Sequence, residues 1–342
     1  MIVDRPSSPS IHFVCNCIGS EHKQIVSENE GSFGIVLNAF DRTLNVKTKD
    51  DKLLVISLGK VASPLTINVV HLDNPPVPFN SFINHVKSGD TISLANRQET
   101  KNVRLADVGP IMLGDKFIIH LKKPNRFFES RLEKMDLHAI QKLSDHAITF
   151  ISLLKKLASS NNEGCLLNPD ITTDGLLSEF MTRILYEEKA GVDLGSPTFG
   201  DVLSMSLLGL CGRGPGFTPA GDDFISGFLT ILNRILVDLN VGTPIIPGLE
   251  YRNLTTWTSF KLMESSAKGL VDSEVQNMIN CIANGDLLGY EDLVTQIAKR
   301  GHTSGLDFAT GAMVALYVVM DTITCRTIDR SLTYRFWKDV IE

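Results

Sequence analysis

Phe117-Ile118-Ile119-His120-Leu121 leads, past Lys122, Lys123, Pro124 and Arg126, to Leu137, Ile140, Leu143 and Ile148 on the way to Leu157. The first run is short, apolar and bounded by turn residues, as a buried strand is. The second set falls at the three-and-four spacing of one helix face. The hydrophobic period therefore changes near residue 130, and the fold is read from that change.

Toward the N-terminus the pattern is that of strands. Gly34–Leu37 is apolar, Leu44 and Val46 alternate with Asn45 and Lys47, and Leu53–Ser57 follows an Asp50-Asp51 turn. Pro64 opens Leu65–Val70, Pro75-Pro76-Val77-Pro78 reads as a loop or linker, and Gly89-Asp90 turns into Thr91–Leu94. Many short strands with polar turns predict a small β-barrel or sandwich. Toward the C-terminus the period is helical. Asn161-Asn162-Glu163-Gly164 ends a first long helix, and Thr173 is placed to cap the segment Leu176–Tyr186. Further helices are expected at 201–210, 225–239, 255–268, 271–284, 290–299, 305–324 and 330–341. The expected fold class is α+β: a β-rich domain over 1–130, then an all-α domain over 131–342.

Composition agrees with two globular domains. The chain has 342 residues, near the size at which single cores stop growing, and is 43% hydrophobic. Residues 1–130 carry 15 basic and 13 acidic groups, net +2, and residues 131–342 carry 18 and 26, net −8, so the excess acid behind the overall −6 lies in the helical half. That balance argues against a nucleic-acid partner and leaves carboxylates free for a metal. Six cysteines in so long a chain are no disulfide framework, and Cys15-x-Cys17 lacks a second pair at zinc spacing. The N-terminus, with Asp4 and Arg5, does not read as a signal peptide, and the apolar stretch Gly311–Met320 is too short to span a bilayer. A cytoplasmic protein without membrane contact is expected.

The densest chemistry is Gly212-Arg213-Gly214-Pro215-Gly216-Phe217-Thr218-Pro219-Ala220-Gly221-Asp222-Asp223. Closely spaced glycines let successive N–H groups form an anion-binding nest, and a following helix start adds positive potential. There is no Walker lysine and no preceding strand, so no nucleotide or organic cofactor is expected. Arg213 supplies a bidentate charge for phosphate or carboxylate. Asp222 and Asp223 would repel an anion, a conflict that a divalent cation such as Mg²⁺ removes. Helix capping explains part of this: Thr218 suits an N-cap, Pro219 the first helical position, and the acids complement the dipole. It leaves the glycines and Arg213 unexplained.

A second segment repeats the form. Gly221-Asp222-Asp223-Phe224-Ile225-Ser226-Gly227 and Gly305-Leu306-Asp307-Phe308-Ala309-Thr310-Gly311 both read Gly-x-Asp-Phe-x-Ser/Thr-Gly. Each places Asp and Gly four apart on one helix face, favouring close approach of two backbones. Two such starts pointing at one ligand are expected, with Asp223 and Asp307 near each other. Ser304 and Asp307 also fit a capping-box-like pattern. His302, beside this second start, is placed to donate to an anion or to act as acid or base.

These two signatures resemble those of a bacterial and archaeal family long labelled a domain of unknown function, whose described member is the AllH-type subunit of oxamate carbamoyltransferase in allantoin degradation. The Gly-Pro-Gly-Phe-Thr-Pro-Ala-Gly-Asp-Asp core at 214–223 carries most of the resemblance. Ser63–Ile67 and Ser259–Gly269 resemble the family less specifically. The resemblance implies carbamoyl transfer between oxalurate and phosphate, giving oxamate and carbamoyl phosphate, within a complex of different subunits. It supplies no residue roles. Chemistry assigns catalytic roles to His302, Asp223 and Thr218, and anion contacts to Arg213, Gly214, Gly216, Gly221 and Ser304. Metal ligation falls to Asp222, Asp223 and Asp307. Backbone N–H groups of 214–216 are suited to phosphate or to the oxyanion of a tetrahedral transition state. The competing reading is a non-catalytic scaffold or regulatory subunit whose loop binds a phosphate-bearing effector or a partner protein.

Overall fold

The computed structural model describes residues 11–26, 31–71, 81–94, 110–113, 117–121, 126–144, 146–160, 164–189, 196–324 and 331–341. The Pro75–Pro78 break, the Lys122-Lys123 pair and the 161–163 break lie outside them. The chain divides into two compact units, Met1–Ser130 and Arg131–Glu342.

Among the described residues the first unit holds nine strands: β1 (Ile11–Gly19), β2 (Gly31–Ala39), β3 (Thr43–Thr48), β4 (Leu53–Ser57), β5 (Thr66–His71), β6 (Thr91–Leu94), β7 (Ile111–Leu113), β8 (Phe117–His120) and β9 (Arg126–Phe128). They run in the order β5-β4-β3-β2-β6-β7-β8-β1-β9, and β1 also pairs with β5. Eight strands thus close into a barrel, and β9 lies beside the end of β1. Between barrel and sandwich, closure decides for the barrel. β1 is the closing strand: it runs parallel to β8 and antiparallel to β5, with a bulge between Cys15 and Cys17. Alternate side chains fill the interior, where Phe13 packs against Phe82 and Phe117. Burial pushes the Cys15 thiol up to about 12, so it is a small core residue and no thiolate.

The second unit is helical. It comprises α1 (Leu137–Ser144), α2 (Ala147–Ser159), α3 (Leu176–Lys189), α4 (Pro197–Leu208), α5 (Ala220–Leu239) and α6 (Leu249–Arg252). There follow α7 (Trp257–Ala267), α8 (Ser273–Asn284), α9 (Leu287–Ala298), α10 (Ser304–Thr324) and α11 (Leu332–Phe336). The first long helix of the sequence reading is two, α1 and α2. Thr173 does not cap α3; its hydroxyl accepts from the Asp170 amide instead.

The core is built on α5 and α10, which make the largest helix–helix contact in the unit. Both are apolar nearly all round, as central helices are. The apolar stretch in α10 is longer than expected. Ser304–Ile323 is long and apolar enough to cross a membrane, yet 83% of the window is buried inside the protein, as a core helix is.

Candidate functional site

The repeat explains why α5 and α10 approach so closely. A Cβ on Gly227 would lie 1.9 Å from the Phe308 carbonyl oxygen, and one on Gly311 would lie 2.0 Å from that of Phe224. The contact is reciprocal, each second glycine resting on the other helix's phenylalanine carbonyl. The first glycines face their own preceding segments, Gly221 against the Leu210 carbonyl and Gly305 against that of Ile297. Ser226 and Thr310, also equivalent, bond back to the Asp222 and Leu306 carbonyls.

This packing brings the two helix starts to one place. The Thr218 hydroxyl donates to Asp223 Oδ2 at 3.0 Å and lies 3.0 Å from Ser304 Oγ. Either hydroxyl can donate in the second bond, and the Ser304 hydroxyl also acts on Asp223, so one hydrogen-bonded relay joins α10, the loop and α5. Capping does not account for it. The N-cap of α5 is Pro219, with no side-chain bond, and Thr218 sits outside the helix. Nor does Asp307 close a capping box: its Oδ1 accepts at 2.8 Å from the amide of Leu166, in a different segment.

The loop itself is held from beneath. Gly212, Gly214 and Gly216 have φ of 73°, 102° and 99°, the left-handed region that side chains rarely adopt. Asp222 clasps the loop: Oδ1 accepts from the Gly212 amide at 2.7 Å, and Oδ2 from the hydroxyls of Thr255 and Ser259. The Gly221 amide donates to the Arg213 carbonyl at 2.9 Å. Among the described residues the amides of Gly214 and Gly216 have no acceptor within the chain. Pro215 and Gly216 stand exposed at the tip.

The two remaining acids are the electrostatic centre. Asp307 is fully buried, its Oδ2 has no hydrogen-bond partner of good geometry among the described residues, and burial pushes its carboxyl up to about 8 against the opposing Leu166 amide and nearby Thr303 hydroxyl. Asp223 keeps an exposed edge, yet the protein around it raises its carboxyl well above the usual carboxylate range. Burial is the main cause; the Asp307 charge adds to it, and the Ser304 and Thr218 hydroxyls oppose it.

The predicted residues thus divide. Thr218, Asp223 and Ser304 meet directly, and Asp307 stands close enough to Asp223 to act on its charge. Gly214 and Gly216 form the loop above them, and Gly221 is a packing position. Arg213 and His302 are exposed. Asp222 is not placed as a metal ligand, because both its oxygens are spent on internal donors. Asp222, Asp223 and Asp307 do not form a three-acid cage: no group of three His, Cys, Asp or Glu side chains suited to a metal is found among the described residues. A cavity of about 310 Å³, lined by Pro197, Leu203, Leu232 and Thr243 among others, holds none of the predicted residues.

Sequence reasoning missed a third wall. Besides the Leu166 amide on Asp307, a Cβ on Gly214 would meet Thr173 Cγ2 at 3.2 Å, and one on Gly164 would meet Pro215 at 3.6 Å. The segment from Gly164 to Thr173 therefore backs the glycine loop. It acts through one backbone amide and van der Waals contact, neither of which leaves a motif. Ser259 opens a stretch that resembles the family, but the bonds of Thr255 and Ser259 to Asp222 leave no signal, because a threonine and a serine four apart are too common to stand out.

Fold and site define a two-unit α+β protein whose helical unit joins a glycine loop to two helix N-termini. Residues 210–316 match the family described as oxamate carbamoyltransferase subunit AllH, a little under a third of the chain. The match takes in the loop, both repeated segments, His302 and the Asp222 clasp. No curated protein and no solved structure matches the chain.

Proposed function

We propose that this chain is a subunit of an oxamate carbamoyltransferase-type complex and that the glycine loop, with the starts of α5 and α10, binds the reacting anions. The observation that carries the reading is the convergence of two helix starts on Thr218, next in sequence to the Gly214 and Gly216 amides that have no acceptor among the described residues, inside the family-matched segment. Paired helix N-termini and free amides favour phosphate or carboxylate.

In the proposed reaction a phosphate oxygen attacks the carbamoyl carbon of oxalurate. The bond from that carbon to the oxamate nitrogen breaks, and the nitrogen takes a proton. The products are carbamoyl phosphate and oxamate. The Gly214 and Gly216 amides stabilise the oxygen that becomes negative. Asp223 and Ser304 orient the Thr218 hydroxyl, and exposed His302 is the proton donor at the mouth. In this reading the carbamoyl group passes directly between the two bound substrates.

The exposure of Pro215 and Gly216 favours a second reading, in which the loop docks on a partner subunit and this chain is not itself catalytic. Carbamoyl phosphate formation from oxalurate and phosphate, assayed for the chain alone and with its partner subunits, separates the two. Activity that collapses in Thr218→Val, with assembly intact, supports the catalytic reading. Full activity in that variant contradicts it.

A further inference from the structure

We propose that Asp223 and Asp307 together hold a divalent cation of the Mg²⁺ class between the starts of α5 and α10, with the Thr218 and Ser304 hydroxyls beside it and an anion on the glycine loop completing its shell. The inference rests on the anion-site reading only for that last ligand.

Asp307 is fully buried, and its Oδ2 makes no hydrogen bond of good geometry among the described residues, the Thr303 hydroxyl being the nearby polar group that acts on its carboxyl. Neither Asp307 nor Asp223 takes part in an ion pair among the described residues. The nearest cation in the sequence, Arg300, is spent on Asp272 and Glu274. Buried carboxylates are ordinarily paired or bound to metal, because an uncompensated charge costs several kcal/mol to desolvate. Thr218 and Ser304 supply further oxygens at the same place. An all-oxygen set suits a hard cation such as Mg²⁺ or Mn²⁺. Only two acids are available, since Asp222 is committed to its internal donors. Two carboxylates plus the oxygens of a bound phosphate, with water in the remaining positions, is a common way for proteins to hold Mg²⁺. The cation also removes the conflict between acids and an anion on adjacent surfaces.

The test uses Mn²⁺ as a paramagnetic probe, titrated into the full chain with and without inorganic phosphate and followed by the loss of the free-ion resonance. One site is expected, tightened about tenfold by phosphate and displaced by Mg²⁺. Asp307→Asn keeps an acceptor for the Leu166 amide, so its melting curve should stay near wild type while Mn²⁺ affinity falls about tenfold or more. Asp223→Asn should do the same. Equal Mn²⁺ binding in wild type and both variants overturns the proposal. Phosphate binding with no bound Mn²⁺ also overturns it and leaves the anion site standing. Mn²⁺ binding that needs both acids but ignores phosphate supports the cation and counts against the anion site.

Discussion

Replacing Gly227 with Ala tests the packing on which the site depends. In a helix interior that change normally stabilises by about 0.8–1 kcal/mol, because alanine restricts the unfolded chain and favours the helix. Here the added carbon would lie 1.9 Å from the Phe308 carbonyl oxygen. An ordinary contact begins at 3.4 Å, so the two backbones must give way by roughly 1.5 Å to restore normal van der Waals separation. The obstacle is backbone, which no rotamer change relieves. Overpacking of this kind costs about 1–3 kcal/mol, and a backbone clash belongs at the upper end. The net expectation is a loss of about 2 kcal/mol, or about 4–8 °C in Tm for a unit of this size. Gly311→Ala, 2.0 Å from the Phe224 carbonyl, should behave alike. Gly200 is the control: it lies within α4 and a Cβ there meets nothing within 4 Å. Gly200→Ala should gain about 0.5–1 kcal/mol. Urea melts followed by circular dichroism read all three. If Gly227→Ala and Gly311→Ala move the midpoint upward with Gly200→Ala, the close crossing of α5 and α10 is refuted.

Other expectations follow from individual contacts. His22 is buried in the barrel unit with Nε2 on the Leu53 carbonyl, and burial lowers its pKa to about 4 from an ordinary 6.5. The unfolded chain therefore binds the extra proton between those values, so stability is full above about pH 6.5 and falls as pH drops toward 4, by about 2 kcal/mol between pH 7 and 5. His22→Gln should flatten that part of the stability profile; an unchanged profile would be inconsistent with a buried neutral imidazole. Ser259→Ala removes one of three donors to Asp222 and should cost about 1 kcal/mol, whereas Asp222→Ala strands all three and should cost about 3 kcal/mol or more, both read from denaturant midpoints. Limited proteolysis should cut first in 122–135, releasing the barrel and helical units, or near Pro75–Pro78, within the barrel unit. First cleavage within 200–240 would contradict separable units.

How much of this was legible depends on where each signal lies. Leu53–Ser57 and Thr91–Leu94 coincide with β4 and β6, because each is a short apolar run ended by turn residues. β1 was passed over, since Asn16 and the bulge at Cys15 and Cys17 disturb its alternation, although it closes the barrel. β7 and β9 are three residues each, too short for any period to register. In the helical unit the repeated Gly-x-Asp-Phe-x-Ser/Thr-Gly was informative because a close helix crossing needs glycine at fixed spacing. The roles of the acids were not legible. Asp222 and Asp223 are adjacent in sequence, yet 100° of helical rotation turns one into the internal clasp and the other toward Thr218. Whether a carboxylate finds internal donors is settled by distant residues, here Thr255, Ser259 and Leu166.

The claim that the two helix starts serve one ligand is tested most directly by a double-mutant cycle on phosphate binding. Inorganic phosphate is titrated calorimetrically into wild type, Thr218→Val, Ser304→Ala and the double variant, at fixed Mg²⁺. If Thr218 and Ser304 act as one relay around a shared anion, each single change weakens binding, and the double variant is weaker by less than the sum, with a coupling of about 0.5–3 kcal/mol. Wild-type affinity in either single variant, or strictly additive losses, would mean that the two starts do not share a ligand.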